Sequence, residues 1–133
     1  VLQKLAALIG QERMQEYISG GLTTFWLGSS LRISAIEQVD LLNKHTVTNP
    51  LPPEVRSIVL KNISLSSNNE SKLLGKTGSG LQDGKWILGW FVGFIEKEGK
   101  YYVLATNILA DDGATGPKAR EITKAIARDI NLL

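Results

Sequence analysis

Residues 73–109 read LLGKTGSGLQDGKWILGWFVGFIEKEGKYYVLATNIL, and their pattern predicts an antiparallel β-sheet. Runs rich in aromatic and branched residues, which are typical of strands, alternate with turn signals. The runs are residues 73–77, 86–96 and 101–109. The turn signals between them are Asp83-Gly84 and Glu98-Gly99-Lys100, which are typical of hairpins. We therefore expect a three-stranded meander in which strands adjacent in sequence pair with each other.

Helical patterns precede this sheet. Apolar residues at intervals of three and four predict an amphipathic helix from Val1 to about Tyr17. Ser34 and Glu37 form a capping box, which predicts the start of a second helix that ends near Lys44. A third helix follows a proline-rich connection, with a proline and an acidic residue in its first turn and apolar residues up to Ile63.

The remaining segments complete an α+β fold. The segment from Ser64 to Lys72 is rich in Ser and Asn, and we expect it to be a loop. After the sheet, Pro117 opens a closing helix that should cover one sheet face. The helix residues expected to pack on the sheet are Ile122, Ala125, Ile126 and Ile130. The predicted order is helices first, then an antiparallel sheet packed by helices.

Composition excludes several classes of protein. The chain has 133 residues, of which 43% are hydrophobic and 21% charged, which suits one domain with one core. Its 15 basic and 13 acidic residues are scattered, which argues against a nucleic-acid partner. No apolar run reaches the ~20 residues of a membrane span, and the first residues lack an export signal. With no Cys and one His, His45, we expect no disulfide, no metal site and no Ser-His-Asp triad.

Lys76-Thr77-Gly78-Ser79-Gly80 is the main candidate for chemistry. It combines a cation, hydroxyls and glycines that let a ligand approach the backbone. Ammonium and hydroxyl donors hold a carboxylate, while an exposed strand edge bonds an amide-containing substrate. The plain alternative is a strand followed by a glycine turn, because short motifs match by chance.

The Lys-Thr-Gly motif is one of several segments that occur together. In chain order, they are Ser19-Gly20-Gly21, residues 25–34 (FWLGSSLRIS), Glu37-Gln38-Val39, Lys76-Thr77-Gly78, Gly89-Trp90-Phe91-Val92-Gly93 and Ala119-Arg120-Glu121-Ile122. This series resembles the second half of class D serine β-lactamases, and of the related penicillin-sensing domains of β-lactam receptors. The resemblance implies a β-lactamase/penicillin-binding transpeptidase-like fold, of which residues 1–133 would be the C-terminal portion of a single domain.

The resemblance implies roles for individual residues. Lys76, Thr77 and Gly78 would contact the β-lactam, and the backbone N–H of Ser79 would stabilise the oxyanion. Arg120 would bind the substrate carboxylate, for which a planar bidentate donor is well suited. Without the resemblance, Arg120 would be interpreted as a solvated helix residue in an ion pair.

Trp26 matches a family tryptophan that supports the general base, a carbamylated lysine. A buried core tryptophan with a partner for its N–H is the alternative. The carbamate consumes carbon dioxide, and no metal or organic cofactor is implied. The lysine that carries the carbamate is expected on a part of the protein outside this chain.

The chain departs from the family pattern at the nucleophile. It contains no Ser-x-x-Lys; the nearest spacing, Ser29 to Arg32, ends in a guanidinium, which cannot act as a base. The family's Ser-x-Val and Tyr-Gly-Asn motifs are not found ahead of the Phe-Trp-Leu segment, and the stretch between Tyr17 and Ser19 is about ten residues shorter than the family pattern. No catalytic residue is therefore expected on this chain, and the nucleophile and base should lie upstream.

Three functions remain open at this point. The first is β-lactam binding and hydrolysis through an acyl-enzyme, with this chain inactive by itself. The second is a non-hydrolytic β-lactam sensor domain of a transmembrane receptor. The third is a small binding module without chemistry. By resemblance, the expected partners are β-lactam antibiotics and the N-terminal part of the same domain, and the expected location is secreted, periplasmic or on the bacterial cell surface.

Overall fold

The computed structural model describes residues 33–44, 52–68 and 70–133 of the chain. The chain divides into two units, Val1–Ser34 and Ala35–Leu133, and the helices and strands given below belong to the second unit. The predicted helix of residues 1–17 lies outside the described residues.

Three helices accompany the sheet in the described part of the chain. Helix α1 spans Ala35–Asn43 and begins directly after Ser34, where the capping box predicts its start. Helix α2 spans Pro53–Ile63, and its proline lies where a missing N–H costs nothing. Helix α3 spans Gly116–Asp129. All three helices confirm the sequence prediction, and none of the described helices is long and apolar enough to cross a membrane.

The strands form one antiparallel sheet in the order β1-β2-β3-β4. The strands are β1, Ser64–Ser67; β2, Ser71–Gln82; β3, Lys85–Lys97; and β4, Lys100–Leu109. Both hairpin turns lie where the Asp-Gly and Glu-Gly pairs predict them. The left-handed φ values are 50° at Asp83, 74° at Gly84, 53° at Glu98 and 73° at Gly99.

One sheet prediction was wrong, because the segment from Ser64 to Lys72 is not all loop. Its first part is β1, which makes the sheet four-stranded rather than three-stranded. The Asn68 side chain accepts hydrogen bonds from the amides of Glu70, at 2.9 Å, and Ser71, at 2.6 Å, and so turns the chain back toward β1. The side chains of β1 are all exposed, so no hydrophobic alternation marks it as a strand.

The core lies between the sheet and α3. Leu73, Phe91 and Ile95 are at most 1% exposed, and they pack with Ala119 and Ala127 of α3. The fold class is therefore α+β, as predicted.

The prediction of which α3 residues face the sheet was wrong. The buried residues of α3 are Gly116, Ala119, Thr123 and Ala127. Ile122, Ala125, Ile126 and Ile130 are exposed instead, by 53% for Ile126 and 59% for Ile130. Small residues let the helix backbone lie close to the sheet, and Thr123 satisfies its hydroxyl by bonding Thr106 Oγ1 at 2.7 Å.

Candidate functional site

The candidate site begins with an open strand edge. Strand β2 pairs with β3 along the whole length of β2, from Ser71 to Gln82. Strand β1 pairs only with the stretch of β2 from Lys72 to Leu74. From Gly75 onward, the other edge of β2 has no strand partner among the described residues. Such an edge presents N–H and C=O groups that a ligand with an amide can bond.

The motif residues on this strand divide between the two faces of the sheet. Thr77 lies opposite Phe91 in register, and Ser79 Oγ is bonded to α3, so both belong to the face that α3 covers. Lys76 and Gly78 alternate with them and belong to the other face, with Gly78 opposite Trp90. The Lys76 side chain is exposed, and its Nζ donates to the Thr77 carbonyl at 2.6 Å.

The two glycines of this strand serve different purposes. A Cβ on Gly75 would lie 2.5 Å from the Val92 carbonyl oxygen, so packing against β3 requires a glycine there. A Cβ on Gly78 would meet the Cβ of Trp90 at 3.7 Å, which is ordinary van der Waals contact. The described structure therefore does not require a glycine at position 78, and it leaves space beside the motif for a ligand.

The N-terminus of α3 touches the motif directly. The Gly116 amide donates to Ser79 Oγ at 2.8 Å. A Cβ on Gly116 would lie 2.6 Å from the Gly78 carbonyl oxygen and 2.9 Å from Thr77 Cβ, so the helix start is pressed against the strand. The structure thus brings Thr77, Gly78 and Ser79 together with the first turn of α3.

Arg120 lies one turn further along α3. Its Nε donates to the Glu121 carboxylate at 3.1 Å, and Lys124 binds the same carboxylate at 3.2 Å. The hydrogen bond from Lys124, with a weaker one from Arg120, holds the pKa of Glu121 below its ordinary value. No hydrogen bond joins Arg120 to residues 76–79 in the described part of the chain, so the ion-pair interpretation describes its present contacts.

Sequence reasoning missed the contact between Ser79 and Gly116. Thr115 and Pro117 do signal a helix start, and Thr115 Oγ1 accepts from the Lys118 amide at 3.4 Å. Nothing in the pattern says that the first amide of this helix binds a strand 37 residues earlier. Trp26, the other predicted site residue, lies outside the described residues.

Comparisons with known proteins identify relatives of this chain. No protein-family model matches the chain. Its sequence is 41% identical to the probable β-lactamase YbxI of Bacillus subtilis over 142 aligned positions, which cover 98% of this chain and 51% of YbxI. Its fold matches a class D β-lactamase from Bacillus subtilis with a TM-score of 0.83 and 39% identity, covering 98% of this chain and 57% of that one. It also matches the C-terminal domain of the Bacillus licheniformis BlaR penicillin receptor, with a TM-score of 0.87, 28% identity and the same coverage.

The chain is homologous to class D β-lactamases and to the related penicillin-receptor domains, as its motifs predict. It spans about half the length of YbxI and 57% of each of the two solved chains. The alignment with YbxI has 142 positions for a chain of 133 residues, so YbxI has residues at positions where this chain has none.

Proposed function

We propose that the complete protein binds β-lactam antibiotics and is acylated by them, and that residues 1–133 are the C-terminal portion of its single β-lactamase-like domain. The observation that carries this proposal is the open edge of β2, which holds Lys76 to Ser79 beside a glycine that packing does not require. A β-lactam has an amide carbonyl that this edge can bond, and a carboxylate that donors can hold.

Each site residue then has a role on its own face of the sheet. Lys76 and Gly78 face the side where the lactam ring would lie, and the backbone N–H of Ser79 donates to the oxyanion. Thr77 and Arg120 belong to the side of α3 and bind the substrate carboxylate, for which Arg120 must exchange its bond to Glu121.

The covalent step requires a Ser-x-x-Lys motif, which this sequence does not contain. A serine oxygen bonds to the lactam carbonyl carbon and the ring C–N bond breaks. The ring nitrogen takes up the proton that the serine hydroxyl loses. We propose that the serine, and a lysine base carbamylated by carbon dioxide, lie on the remaining part of the domain, and that Trp26 of this chain supports the lysine. In the hydrolytic form, water then attacks the ester and releases the product. The chain alone should not turn over a chromogenic cephalosporin.

A sensor function is the second candidate, and the likeness to the BlaR receptor domain favours it. A sensor keeps the same binding site but holds the acyl group, so that acylation becomes a signal. Both candidates place the domain outside the cytoplasmic membrane, either secreted, periplasmic or at the cell surface.

Intact-mass measurement of the complete protein before and after incubation with benzylpenicillin tests the proposal. We expect the addition of one benzylpenicillin per molecule. An adduct that decays within the assay identifies an enzyme, and one that persists identifies a sensor. A protein that gains no mass and hydrolyses no benzylpenicillin, at any penicillin concentration, overturns the proposed function.

The variant Arg120→Ala tests the carboxylate site. Arg128→Ala, near the other end of α3, is its matched control. Loss of a hydrogen bond to a charged group should lower the acylation rate constant at least roughly tenfold for Arg120→Ala. Arg128 lies in the last turn of the helix, so its removal should leave this rate unchanged. Equal rates in both variants would exclude Arg120 from the site.

A further inference from the structure

Ser79 has a second feature besides its backbone N–H, namely the contact of its hydroxyl. The first N–H groups of a helix have no partner within the helix. In α3, the amide of Gly116, the first helix residue, finds one in Ser79 Oγ at 2.8 Å. The residue that follows the Lys-Thr-Gly motif thus caps the helix that carries Arg120.

The start of α3 is held from two strands. On the β3 side, the Ala114 amide donates to the Trp86 carbonyl at 2.7 Å, and Gly89 has no side chain where the Thr115 carbonyl lies. On the β2 side, the link is the Ser79 hydroxyl. The length of the hydrogen bond from the Gly116 amide to Ser79 Oγ therefore sets how far the first turn of α3 lies from the motif.

The contact surfaces leave little tolerance at this position. Gly116 lies against the backbone of Gly78 and the Cβ of Thr77 so closely that an added Cβ would clash with both. Arg120 is four residues, about one helical turn, further along. A shift of the helix start consequently moves the guanidinium relative to Thr77 by a similar amount.

We propose that the Ser79 side chain is a positioning residue for the carboxylate subsite: by binding the Gly116 amide, it sets the distance between Thr77 on β2 and Arg120 on α3. This inference rests on the proposed function, since it assumes that these two residues bind the carboxylate of a β-lactam. It differs from the role of the Ser79 backbone N–H, because a side-chain substitution leaves that donor in place.

The test compares three variants of the complete protein. Ser79→Ala removes the acceptor, Ser79→Thr keeps a hydroxyl, and Ser67→Ala removes an exposed serine hydroxyl on β1 that bonds the carbonyl of its neighbour Asn68. Each is acylated with benzylpenicillin and with benzylpenicillin methyl ester, which lacks the negative charge. We expect Ser79→Ala to lower the rate with the acid roughly three- to tenfold, as for loss of one hydrogen bond, with less than a twofold change for the ester. Ser79→Thr and Ser67→Ala should keep the acid-to-ester ratio of the unaltered protein.

Amide hydrogen exchange provides an independent readout of the contact itself. Exchange at Gly116 should be roughly three- to tenfold faster in Ser79→Ala than in Ser79→Thr, while exchange at Thr123, further along α3, stays the same.

The outcomes separate the two proposals. If the unaltered protein neither forms an adduct with the two β-lactams nor hydrolyses them, the proposed function fails, and this inference fails with it. If adducts form but Ser79→Ala slows the acid and the ester equally, or leaves both rates unchanged, the positioning role alone is overturned. Unchanged exchange at Gly116 in Ser79→Ala would also overturn it.

Discussion

The two halves of strand β2 differ although they belong to one continuous element. The half from Ser71 to Gly75 is paired with β3 and, in part, with the short strand β1, and all of its residues except Lys72 are buried. Within the described part of the chain, the half from Lys76 to Gln82 is paired with β3 alone, and its residues are exposed except for half-buried Thr77 and Gly80. Because β1 ends after four residues, β2 has one half that belongs to the core and one half whose outer edge has no strand partner among the described residues.

Two leucines, one in each half of β2, should show the greatest difference in the free energy of unfolding when they are replaced. Leu73 is 1% exposed, so Leu73→Ala should lower the free energy of unfolding by about 2–5 kcal/mol through lost burial and a residual cavity. Leu81 is 57% exposed, and Leu81→Ala should change it by less than about 0.5 kcal/mol. Urea denaturation of the complete protein measures both. Similar losses in the two variants would mean that the open half is covered in the complete protein.

The next effect compares the two glycines. Gly75→Ala places a methyl group 2.5 Å from the Val92 carbonyl oxygen, which should cost about 1–3 kcal/mol of stability. Gly78→Ala has room, since its new neighbour is 3.7 Å away, and should change stability by less than about 0.5 kcal/mol.

Acylation should distinguish Gly78 more sharply than stability does. A methyl group at position 78 stands where the lactam ring approaches, so the acylation rate should fall by roughly tenfold, as expected for an overpacked contact. Stopped-flow or mass-based kinetics with benzylpenicillin measures the rate. A Gly78→Ala protein that is acylated at the normal rate would show that no ligand approaches this face of β2.

The smallest effect concerns the ion pairs beyond the site. The pKa of Glu121 is lowered in the folded protein, mainly by the hydrogen bond from Lys124. Its ion pairs therefore stabilise the fold at pH values above the ordinary pKa of 4.5. That contribution is lost as the pH falls through the lowered folded-state pKa. Because the carboxylate is exposed, the effect is small and screened by salt.

Glu121→Gln removes this pH dependence. The stability difference between the unaltered protein and the variant should be present at neutral pH and vanish in acid, as measured by denaturation midpoints over a pH series. A difference that stays constant with pH would show that the carboxylate charge has no part in it.

Much of the fold was readable from local patterns. The hairpin turns at Asp83-Gly84 and Glu98-Gly99 require left-handed backbone conformations. Few residue pairs adopt these conformations, so the pairs themselves predicted both turns correctly. Strand β1 and the buried side of α3 were not readable in this way. Serines on an edge strand carry no hydrophobic alternation, and the small buried residues of α3 are less apolar than its isoleucines, which are left exposed.

The candidate site shows the same division. Residue types and their order were enough to indicate the chain's homologues and to suggest Lys76, Thr77, Gly78 and Arg120 as candidates, because a motif is a local property of the chain. The open edge of β2, the opposite faces of Lys76 and Thr77, and the bond from Gly116 to Ser79 appear only once the chain is folded. Strand register and helix docking join residues 37 positions apart, and such long-range contacts depend on how the backbones pack rather than on any spacing within the sequence.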